Sequence, residues 1–364
     1  MNREQRMKQA RPNLDSLPVI GICGCSGAGK TTLIERLIAP FNSMGIRLAV
    51  VKHDAHNIQL DRKGKDSYRF YHAGADTFLL GEEQIGRQHG RCDLPYSLAA
   101  LCSDYDFVLV EGHATTPVPK IWILSEGHVQ PPENSGQVLR ICSRQEAGGS
   151  DIQDWIREYL VSKWMQAPVW GCVLIGGKSR RMGRPKHLIS SFGKTWLEHT
   201  VARLAPHVDR IVLSGRGRLP AELAHMTRIP DVDGLAGPLA GVLAIQRWEP
   251  SVSWIVVACD QPDIQDEALR WLLEQRRPGV RAILPCIAGR GKIEPLLAYY
   301  DLRCKTLLER LAAGGSMRLS NIAEEDGVLT VRPPEVLHAS WLNVNTTEEL
   351  DTFTMTLASS RRHP

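Results

Sequence analysis

The sequence GCSGAGKT, residues 24–31, has the residue types and the spacing of a loop that binds the phosphates of a nucleotide. It matches the pattern G-x-x-x-x-G-K-[ST] in full, with an apolar run before it and a helical pattern after it. The glycines allow backbone N–H groups to face phosphate oxygens, while a lysine reaches the β- and γ-phosphates and a threonine ligates Mg²⁺. The predicted nucleotide contacts of this loop are Gly24, Gly27, Gly29, Lys30, Thr31 and Thr32.

An acidic residue at the end of a later strand belongs to the same candidate site. The stretch YDFVLVEG, residues 105–112, has the pattern of a buried strand and ends in Glu111. In P-loop domains an acid at this strand end lies on the metal side. We therefore predict that Glu111 holds Mg²⁺ through water or orients a water molecule, and a solvated acid without such a role is the alternative. His53 and His56 are interpreted as polar contacts to a nucleotide or a partner.

A second glycine- and arginine-rich loop, LIGGKSRRMGRPK at residues 174–186, is of a different kind. Gly176 and Gly177 let the backbone come close to a base or a triphosphate. Arg181 and Lys186 supply cations, and fixed cations beside a triphosphate lower the barrier to nucleotidyl transfer at the α-phosphorus. Taken alone, the same residues are also compatible with a basic surface loop.

A strand-end aspartate in the second half supports nucleotidyl transfer. The run WIVVACDQP, residues 254–262, is a buried strand pattern ending in Asp260, where ligands meet an open α/β sheet. Such an aspartate suits Mg²⁺, which takes one or two carboxylates together with substrate phosphates. Asp263 is predicted to cap the following helix rather than to bind metal. Asp231 ends another strand-like run, and GPLAG at residues 237–241 starts a helix after a glycine turn.

Alternating strand and helix patterns must position these loops. Apolar runs without alternation, typical of buried parallel strands, occur in both halves of the chain and are separated by helical patterns. We therefore predict an α/β protein with two doubly wound Rossmann-like domains, an N-terminal one of the P-loop NTPase type and a C-terminal one of the nucleotidyltransferase type. The predicted parts are a mobile tail over residues 1–17, a P-loop domain over 18–166 and a transferase domain over 168–364.

The composition is that of a globular protein. The 364 residues are 43% hydrophobic and 23% charged, and their formal net charge of +4 does not indicate nonspecific nucleic-acid binding but suits anionic small ligands. No apolar run approaches the roughly 18 residues that span a bilayer. The charged N-terminus lacks the apolar region of a secretory signal. Nine cysteines without paired spacing indicate reduced thiols. The expected location is therefore the cytoplasm, without membrane attachment.

The first half resembles the molybdopterin-guanine dinucleotide biosynthesis adaptor family of GTP-binding P-loop proteins. The resemblance covers about residues 18–166 and rests on the phosphate loop, VKHDAH at 51–56, DRKGKDSYRFYHAGA at 61–75 and DFVLVEGH at 106–113. The family-specific part is GKDSY at 64–68 with the Ala-Gly-Ala at 73–75. The resemblance implies GTP binding at the loop and a supporting role with little chemistry of its own.

The second half resembles molybdenum cofactor guanylyltransferases, which join GMP to molybdopterin. The resemblance covers about residues 169–352 and rests on LIGGKSRRMG with Lys186, GPLAG, the Asp-Gln-Pro strand end and LNVNT at 342–346. It implies a GTP site in which the backbone from Leu174 to Gly177 cradles the guanine and the phosphates, with Mg²⁺ on Asp260 and molybdenum-bearing molybdopterin as the second substrate. The implied GTP contacts are Leu174, Ile175, Gly176, Gly177, Lys186, Ser214, Asp231 and Asp260, and the implied molybdopterin-side residues are Asn343 and Asn345.

Some residues depart from the family pattern. Ser214 stands where an Asn is usual, Pro185 replaces an Asp, and Gln261 replaces a Thr. The last two changes favour the sister enzymes that transfer CMP from CTP, whereas the glycine pair, GPLAG and the Asn-Val-Asn-Thr segment favour guanine. GTP is therefore the predicted nucleotide.

The prediction is therefore a fusion protein in which Lys186, Arg181 and Asp260 carry the transfer of GMP to molybdopterin. The alternatives are a cytidylyltransferase and a GTP-binding carrier that hands cofactor to apoenzymes. The partners implied are other molybdenum cofactor biosynthesis proteins and apo-molybdoenzymes or their chaperones, and whether the chain forms a homodimer is left open.

Overall fold

The computed structural model describes residues 14–52, 77–80, 84–87, 93–112, 114–125, 127, 130–176, 184–191, 193–287, 292–316 and 318–352, with backbone alone at 77–80 and 84–87. The chain divides into two compact units, residues 1–163 and 164–364. Within the described ranges, no helix combines the length and the apolar character that crossing a membrane requires.

The first unit is an α/β domain built on a parallel sheet. Its elements are β1 (Val19–Gly24), α1 (Lys30–Ser43), β2 (Leu48–Lys52), β3 (Thr77–Leu80), β4 (Gln84–Arg87), α2 (Leu94–Asp104), β5 (Phe107–Glu111), β6 (Lys120–Leu124), β7 (Val138–Ser143) and α3 (Ser150–Met165). Strands β2, β5, β1, β6 and β7 lie in that order and are all parallel, and β3 and β4 form a separate antiparallel pair.

The sheet of the first unit is covered on both faces. Val19, Val108 and Val110 pack with Leu98 of α2 on one face, and Phe41 of α1 meets Phe107 edge to face, with 5.3 Å between ring centroids. Burial on both sides explains why these strands are apolar without alternation.

Part of the segment predicted as a mobile tail has regular structure. Leu14–Ser16 form a 3-10 turn, and Leu14 is buried in the cluster of Val19 and Leu98. An apolar side chain in the core holds this turn against the domain, so ordered structure begins inside the segment predicted as tail.

The second unit carries a larger, mixed sheet. Its elements are β8 (Val169–Leu174), β9 (Ser190–Ser191), β10 (Lys194–Thr195), α4 (Trp196–Leu204), β11 (Ile211–Ser214), β12 (Arg228–Ile229), α5 (Pro238–Trp248), β13 (Ser253–Ala258), α6 (Asp266–Glu274), β14 (Ala282–Ile287), β15 (Lys292–Ile293), β16 (Ala298–Tyr300), α7 (Lys305–Ala313) and β17 (Val328–Val331). The strand order is β12-β11-β8-β13-β16-β14-β15, with β17 beside β14. Strand β16 is antiparallel to β13 and to β14, whereas β12, β11, β8 and β13 are parallel.

Successive residues of these strands supply two separate cores. Ile255 and Val257 of β13 face a cluster that includes α4 and α6, while Trp254 and Val256 face a cluster that includes α5 and α7. Helices therefore cover both faces of the sheet, and the doubly wound α/β architecture predicted from the sequence is confirmed.

Two local predictions differ from the structure. Asp263 does not cap the following helix, because α6 starts at Asp266 and its N-cap residue is Gln265, whose N–H donates to Ser340 Oγ at 3.0 Å. The boundary between the compact units falls before Trp164, which is 1% exposed and lies under the Arg303 guanidinium at 5.2 Å. This aromatic contact places the end of α3 with the second unit.

A buried ion pair makes a stability prediction possible. Arg303 Nε lies 2.7 Å from Asp301 Oδ1, and both side chains are almost fully buried. We expect Asp301→Ala to lower the free energy of unfolding of the second unit by about 3–5 kcal/mol, because a buried cation loses its partner. Urea denaturation measures the change. Glu309→Ala, which removes the exposed partner of Arg247, is the matched control and is expected to change it by about 1 kcal/mol or less. Equal effects of the two would contradict this account.

The described cysteines are free thiols. Burial raises the pKa of Cys23 to about 11, and burial together with the neighbouring Asp260 carboxylate raises the pKa of Cys259 to about 12. Both thiols are therefore protonated at neutral pH, and neither is available as a thiolate nucleophile.

Candidate functional site

The first candidate site is the loop between β1 and α1. Gly24, Gly27 and Gly29 have φ values of 145°, 76° and 103°, a region that strongly favours glycine. A Cβ at Gly24 would lie 2.5 Å from the carbonyl oxygen of Ile123. The glycines are therefore required by the shape of the loop. Lys30 Nζ donates to the carbonyls of Gly24 and Cys25 at 2.9 and 2.8 Å, so the ammonium group lies across the loop.

The predicted metal-side residues of this loop lie together. Thr31 Oγ1 is 3.2 Å from both carboxylate oxygens of Glu111. The register brings Glu111 near the start of the loop, since Ile22 pairs with Glu111 and β5 ends two residues before β1 does. Thr32 is exposed on the first turn of the helix. His53 and His56 lie outside the described residues.

The second candidate site is a cavity of about 470 Å³ at the carboxyl edge of the second sheet. Leu174 pairs with Ser214 on one side and with Ala258 on the other, so three parallel strands end at one level. Ligands of open α/β sheets bind at this edge. The lining residues are Leu174, Ile175, Gly176, Lys186, Ser214, Asp231, Gly237, Pro238, Gly241, Ala258, Cys259, Asp260, Leu296 and Asn345.

Lys186 is the cation among the described residues that line this cavity. Its ammonium group lies 2.8 Å from Asp260 Oδ2 and 2.7 Å from Asn345 Oδ1. The Lys186 and Asp260 side chains are 15% and 22% exposed. One positive group thus joins the strand-end carboxylate to the C-terminal segment, although these residues are 74 and 159 positions away in the chain.

The C-terminal segment, here residues 343–349, is held against the carboxyl edge of the second sheet. The Val344 N–H donates to the Asp260 carbonyl at 2.9 Å, and Val344 packs with Ile189 and Trp196. Glu349 accepts hydrogen bonds from the N–H groups of Asn345 and Thr346. These contacts fix the backbone that carries the Asn345 amide into the cavity.

Another part of the cavity lining is formed by a serine, an aspartate and a glycine. Ser214 Oγ lies 3.4 Å from Asp231 Oδ1. A Cβ at Gly241 would lie 3.0 Å from Ser214 Oγ and 2.9 Å from Leu174 Cδ2. The last glycine of GPLAG therefore leaves room for these side chains, and Gly237, with φ 72°, forms the turn before α5.

His187 holds the segment that presents Lys186. It is 4% exposed, its Nε2 lies 2.9 Å from the carbonyl oxygen of Arg218, and its ring packs on Gly217. Donation to a carbonyl requires the proton on Nε2. The adjacent lysine is thereby fixed in direction, and no sequence motif marks this histidine.

We expect His187→Ala to lower kcat/KM for nucleotidyl transfer about tenfold to a hundredfold, because small displacements of a positioned group have effects of this size. His199→Ala is the control, since His199 also contacts a backbone carbonyl, that of Ser191 at 2.9 Å. The measurement is kcat/KM of both variants from steady-state kinetics, with the same fraction of each protein folded. Unchanged kcat/KM in His187→Ala would show that Lys186 does not depend on this contact.

The structure brings together most of the residues predicted for the transferase site. Asn345, predicted on the molybdopterin side, lines the same cavity as the predicted GTP contacts. Asn343 is half-buried and does not line it, and its buried Oδ1 has no hydrogen-bond partner among the residues that the structure describes. Gly177 and Arg181 lie outside the described residues. Cys259 and Leu296 were not predicted as site residues, because apolar lining residues give no chemical signal.

Two nucleotide sites of different construction define the class of protein. The first unit has the phosphate loop of P-loop nucleotide-binding proteins. The second has the cation, carboxylate and strand-edge cavity of a nucleotidyltransferase.

Comparisons with known proteins assign a family to each unit. Residues 19–143 match the family described as Molybdopterin guanine dinucleotide synthesis protein B, and residues 171–327 match the MobA-like NTP transferase domain. The molybdopterin-guanine dinucleotide biosynthesis adapter protein of Haemophilus influenzae is 37% identical over 35% of this chain and 76% of that protein. A probable molybdenum cofactor guanylyltransferase of Bacillus mycoides is 30% identical over 49% of this chain and 92% of that protein. The crystal structure of molybdopterin-guanine dinucleotide biosynthesis protein A from Archaeoglobus fulgidus is 26% identical, covers 52% of this chain and 99% of that one, and gives a TM-score of 0.45.

The chain belongs to the molybdopterin-guanine dinucleotide adapter family through its first unit and to the molybdenum cofactor guanylyltransferase family through its second. It is a nucleotidyltransferase of molybdenum cofactor biosynthesis, and the fusion predicted from the sequence is confirmed.

Proposed function

We propose that the second unit transfers GMP from GTP to the terminal phosphate of molybdenum-bearing molybdopterin and releases pyrophosphate. The contact of Lys186 with both Asp260 and Asn345 carries this proposal. Residues assigned to the two substrates lie around one ammonium group, as an in-line attack of one phosphate on another requires. The new bond joins a molybdopterin phosphate oxygen to the α-phosphorus, while the bond from that phosphorus to the bridging oxygen breaks.

The cavity stabilises the charge that develops during transfer and positions the substrates. Lys186 stabilises the negative charge that develops on the transferring group, and the backbone from Leu174 to Gly176 lies where a base or phosphate approaches closely. No side chain has to form a covalent intermediate. The Cys259 thiol stays protonated, since its pKa is raised to about 12 mainly by burial.

Asp260 fits a Mg²⁺ ion that arrives with the nucleotide. It offers one carboxylate on the cavity wall, and Mg²⁺ commonly takes one or two carboxylates and completes its shell with phosphate oxygens and water. When bound, the ion supplies positive charge to the triphosphate and orients it. In the first unit, Thr31 and Glu111 are the corresponding candidates.

Guanine is preferred over cytosine as the base. The two residues that depart towards cytidylyltransferases have local structural roles: Gln261 is 1% exposed and accepts from the Ala258 N–H at 3.3 Å, and Pro185 precedes the 3-10 turn that carries Lys186. Neither therefore needs a role in base selection. The relatives with matching second units are named as guanylyltransferases.

The base choice is tested by measuring kcat/KM with GTP and with CTP, using molybdenum-bearing molybdopterin and analysing the dinucleotide formed. We expect GTP to be preferred. Preference for CTP would make the chain a cytidylyltransferase, with the same mechanism and a different base.

The first unit is proposed to bind GTP and to support the transfer as an adaptor. Joining the two units in one chain raises the local concentration of each for the other. The partners proposed are other cofactor biosynthesis proteins and the apo-molybdoenzymes, or their chaperones, that receive the product, and the proposed location is the cytoplasm.

Lys30→Ala is expected to weaken GTP binding at the first unit about tenfold to a hundredfold, because hydrogen bonds to charged groups contribute about 1.5–3 kcal/mol. Equilibrium titration should then show one strong GTP site instead of two. Dinucleotide formation by residues 164–364 alone, the second compact unit, is expected to persist, and an inactive fragment that is folded would mean that both units build one active site.

A further inference from the structure

A turn at the end of β7 is built as a rigid support at the edge of the phosphate loop. The Ser143 N–H donates to Glu146 Oε2 at 2.6 Å, and the Glu146 N–H donates back to Ser143 Oγ at 3.2 Å. The turn continues into the buried Ala147. Reciprocal hydrogen bonds of this kind fix the backbone between the two residues.

The same turn is tied to the helix that starts at the phosphate loop. Arg36 of α1 donates from Nη1 to the Gly148 carbonyl at 2.5 Å. Strand pairing also places the carboxyl ends of β1 and β7 at a similar height in the sheet, because Gly24 pairs with Ile123 and Ile123 pairs with Cys142. The turn and the loop therefore lie at the same carboxyl edge and are fixed with respect to each other.

Arg144 stands on this turn and lies over the loop. It is exposed, and its Cγ is 3.6 Å from the position that a Cβ at Gly29 would take. Gly29 has φ 103° and immediately precedes Lys30. The aliphatic stem of an exposed arginine is thus held against the last glycine of a phosphate-binding loop.

We propose that Arg144 is a phosphate-binding residue of the first unit and that its guanidinium group binds the triphosphate held by the loop. The inference rests on the GTP binding proposed above for this unit. A guanidinium group presents a planar set of donors that matches phosphate oxygens in pairs. A cation on a fixed turn at this edge adds to Lys30 and to the N-terminus of α1, so three sources of positive potential face one ligand.

The test uses Arg144→Gln in the full chain, because glutamine keeps an aliphatic stem over Gly29 and removes the charge. We expect GTP binding at the first unit to weaken about tenfold to a hundredfold, and Arg144→Lys to retain part of the affinity. Arg157→Gln is the matched control, since it removes the same charge from α3, where Arg157 pairs with Asp154. It is expected to leave GTP binding unchanged.

GTP binding is measured by calorimetric titration. The titration of Arg144→Gln is repeated with Lys30→Ala also present, and with ATP in place of GTP. If Arg144 acts at the loop, Arg144→Gln further weakens the same site that Lys30→Ala weakens and leaves the other GTP site unchanged, and the preference for GTP over ATP is unaltered because only phosphate is contacted. Loss of that preference would mean a base contact and would overturn the assignment. If Lys30→Ala weakens one site but Arg144→Gln does not, this inference alone fails. If Lys30→Ala changes no site, the binding proposed for the first unit fails and this inference fails with it.

Discussion

Replacing Asp260 by asparagine is expected to lower kcat for dinucleotide formation about a hundredfold to a thousandfold, the range seen when one preorganised electrostatic group is removed from an active site. Asparagine keeps the size of the side chain but removes the carboxylate charge that suits Mg²⁺. The Asp260 carbonyl still accepts from the Val344 N–H, so the C-terminal segment keeps its anchor. Kinetics across a series of Mg²⁺ concentrations measures the effect, and half-maximal activity should need more Mg²⁺ than in the parent.

The control for this variant is Asp266→Asn in the same unit. Asp266 pairs with Arg203 and His207 at the start of α6, away from the lining of the cavity. It is expected to have near-normal turnover. Near-normal, Mg²⁺-dependent turnover in Asp260→Asn would show that the metal is held elsewhere.

Replacing Lys186 by alanine is expected to lower kcat/KM for GTP about a hundredfold to a thousandfold, because the described cation nearest to both Asp260 and Asn345 is removed. The dependence on Mg²⁺ should stay close to that of the parent, since Asp260 is intact. The dependence on Mg²⁺ therefore distinguishes loss of the lysine from loss of the aspartate. Lys194→Ala, which removes an exposed lysine of the β9–β10 hairpin, is the control.

Combining the two variants measures how strongly the catalytic effects of Lys186 and Asp260 depend on each other. Lys186→Ala combined with Asp260→Asn is expected to be much less impaired than the product of the single effects, because residues that act as one unit are not additive. Full additivity would mean that the two side chains act independently, in conflict with the 2.8 Å contact between them.

Local patterns were sufficient to predict most of the fold. Strand β11 begins and ends where its apolar run does, because buried parallel strands are read directly as continuous hydrophobic stretches. Helix α2 was missed, since a short, largely apolar segment with Pro95 near its start has little helical periodicity. The antiparallel strand β16 was missed because three residues carry no pairing direction; its position is set by β13 and β14.

The site was predictable as far as its residue types carry chemistry. Lysine after a glycine loop and aspartate at a strand end are visible in the sequence, and the structure places Lys186 and Asp260 in contact. The contact of Lys186 with Asn345 could not be foreseen, because it depends on how Val344 docks beside Ile189 and Trp196. His187 was overlooked for a related reason, since its partner is a backbone carbonyl and no sequence motif marks it.

The central claim is that the second unit moves the α-phosphate of GTP onto molybdopterin. The most direct measurement incubates the full chain with molybdenum-bearing molybdopterin, Mg²⁺ and GTP labelled at either the α- or the γ-phosphate. The account predicts that the α-label enters the dinucleotide and that the γ-label leaves as pyrophosphate. Release of the γ-label as inorganic phosphate, with no α-label in the pterin product, would contradict it.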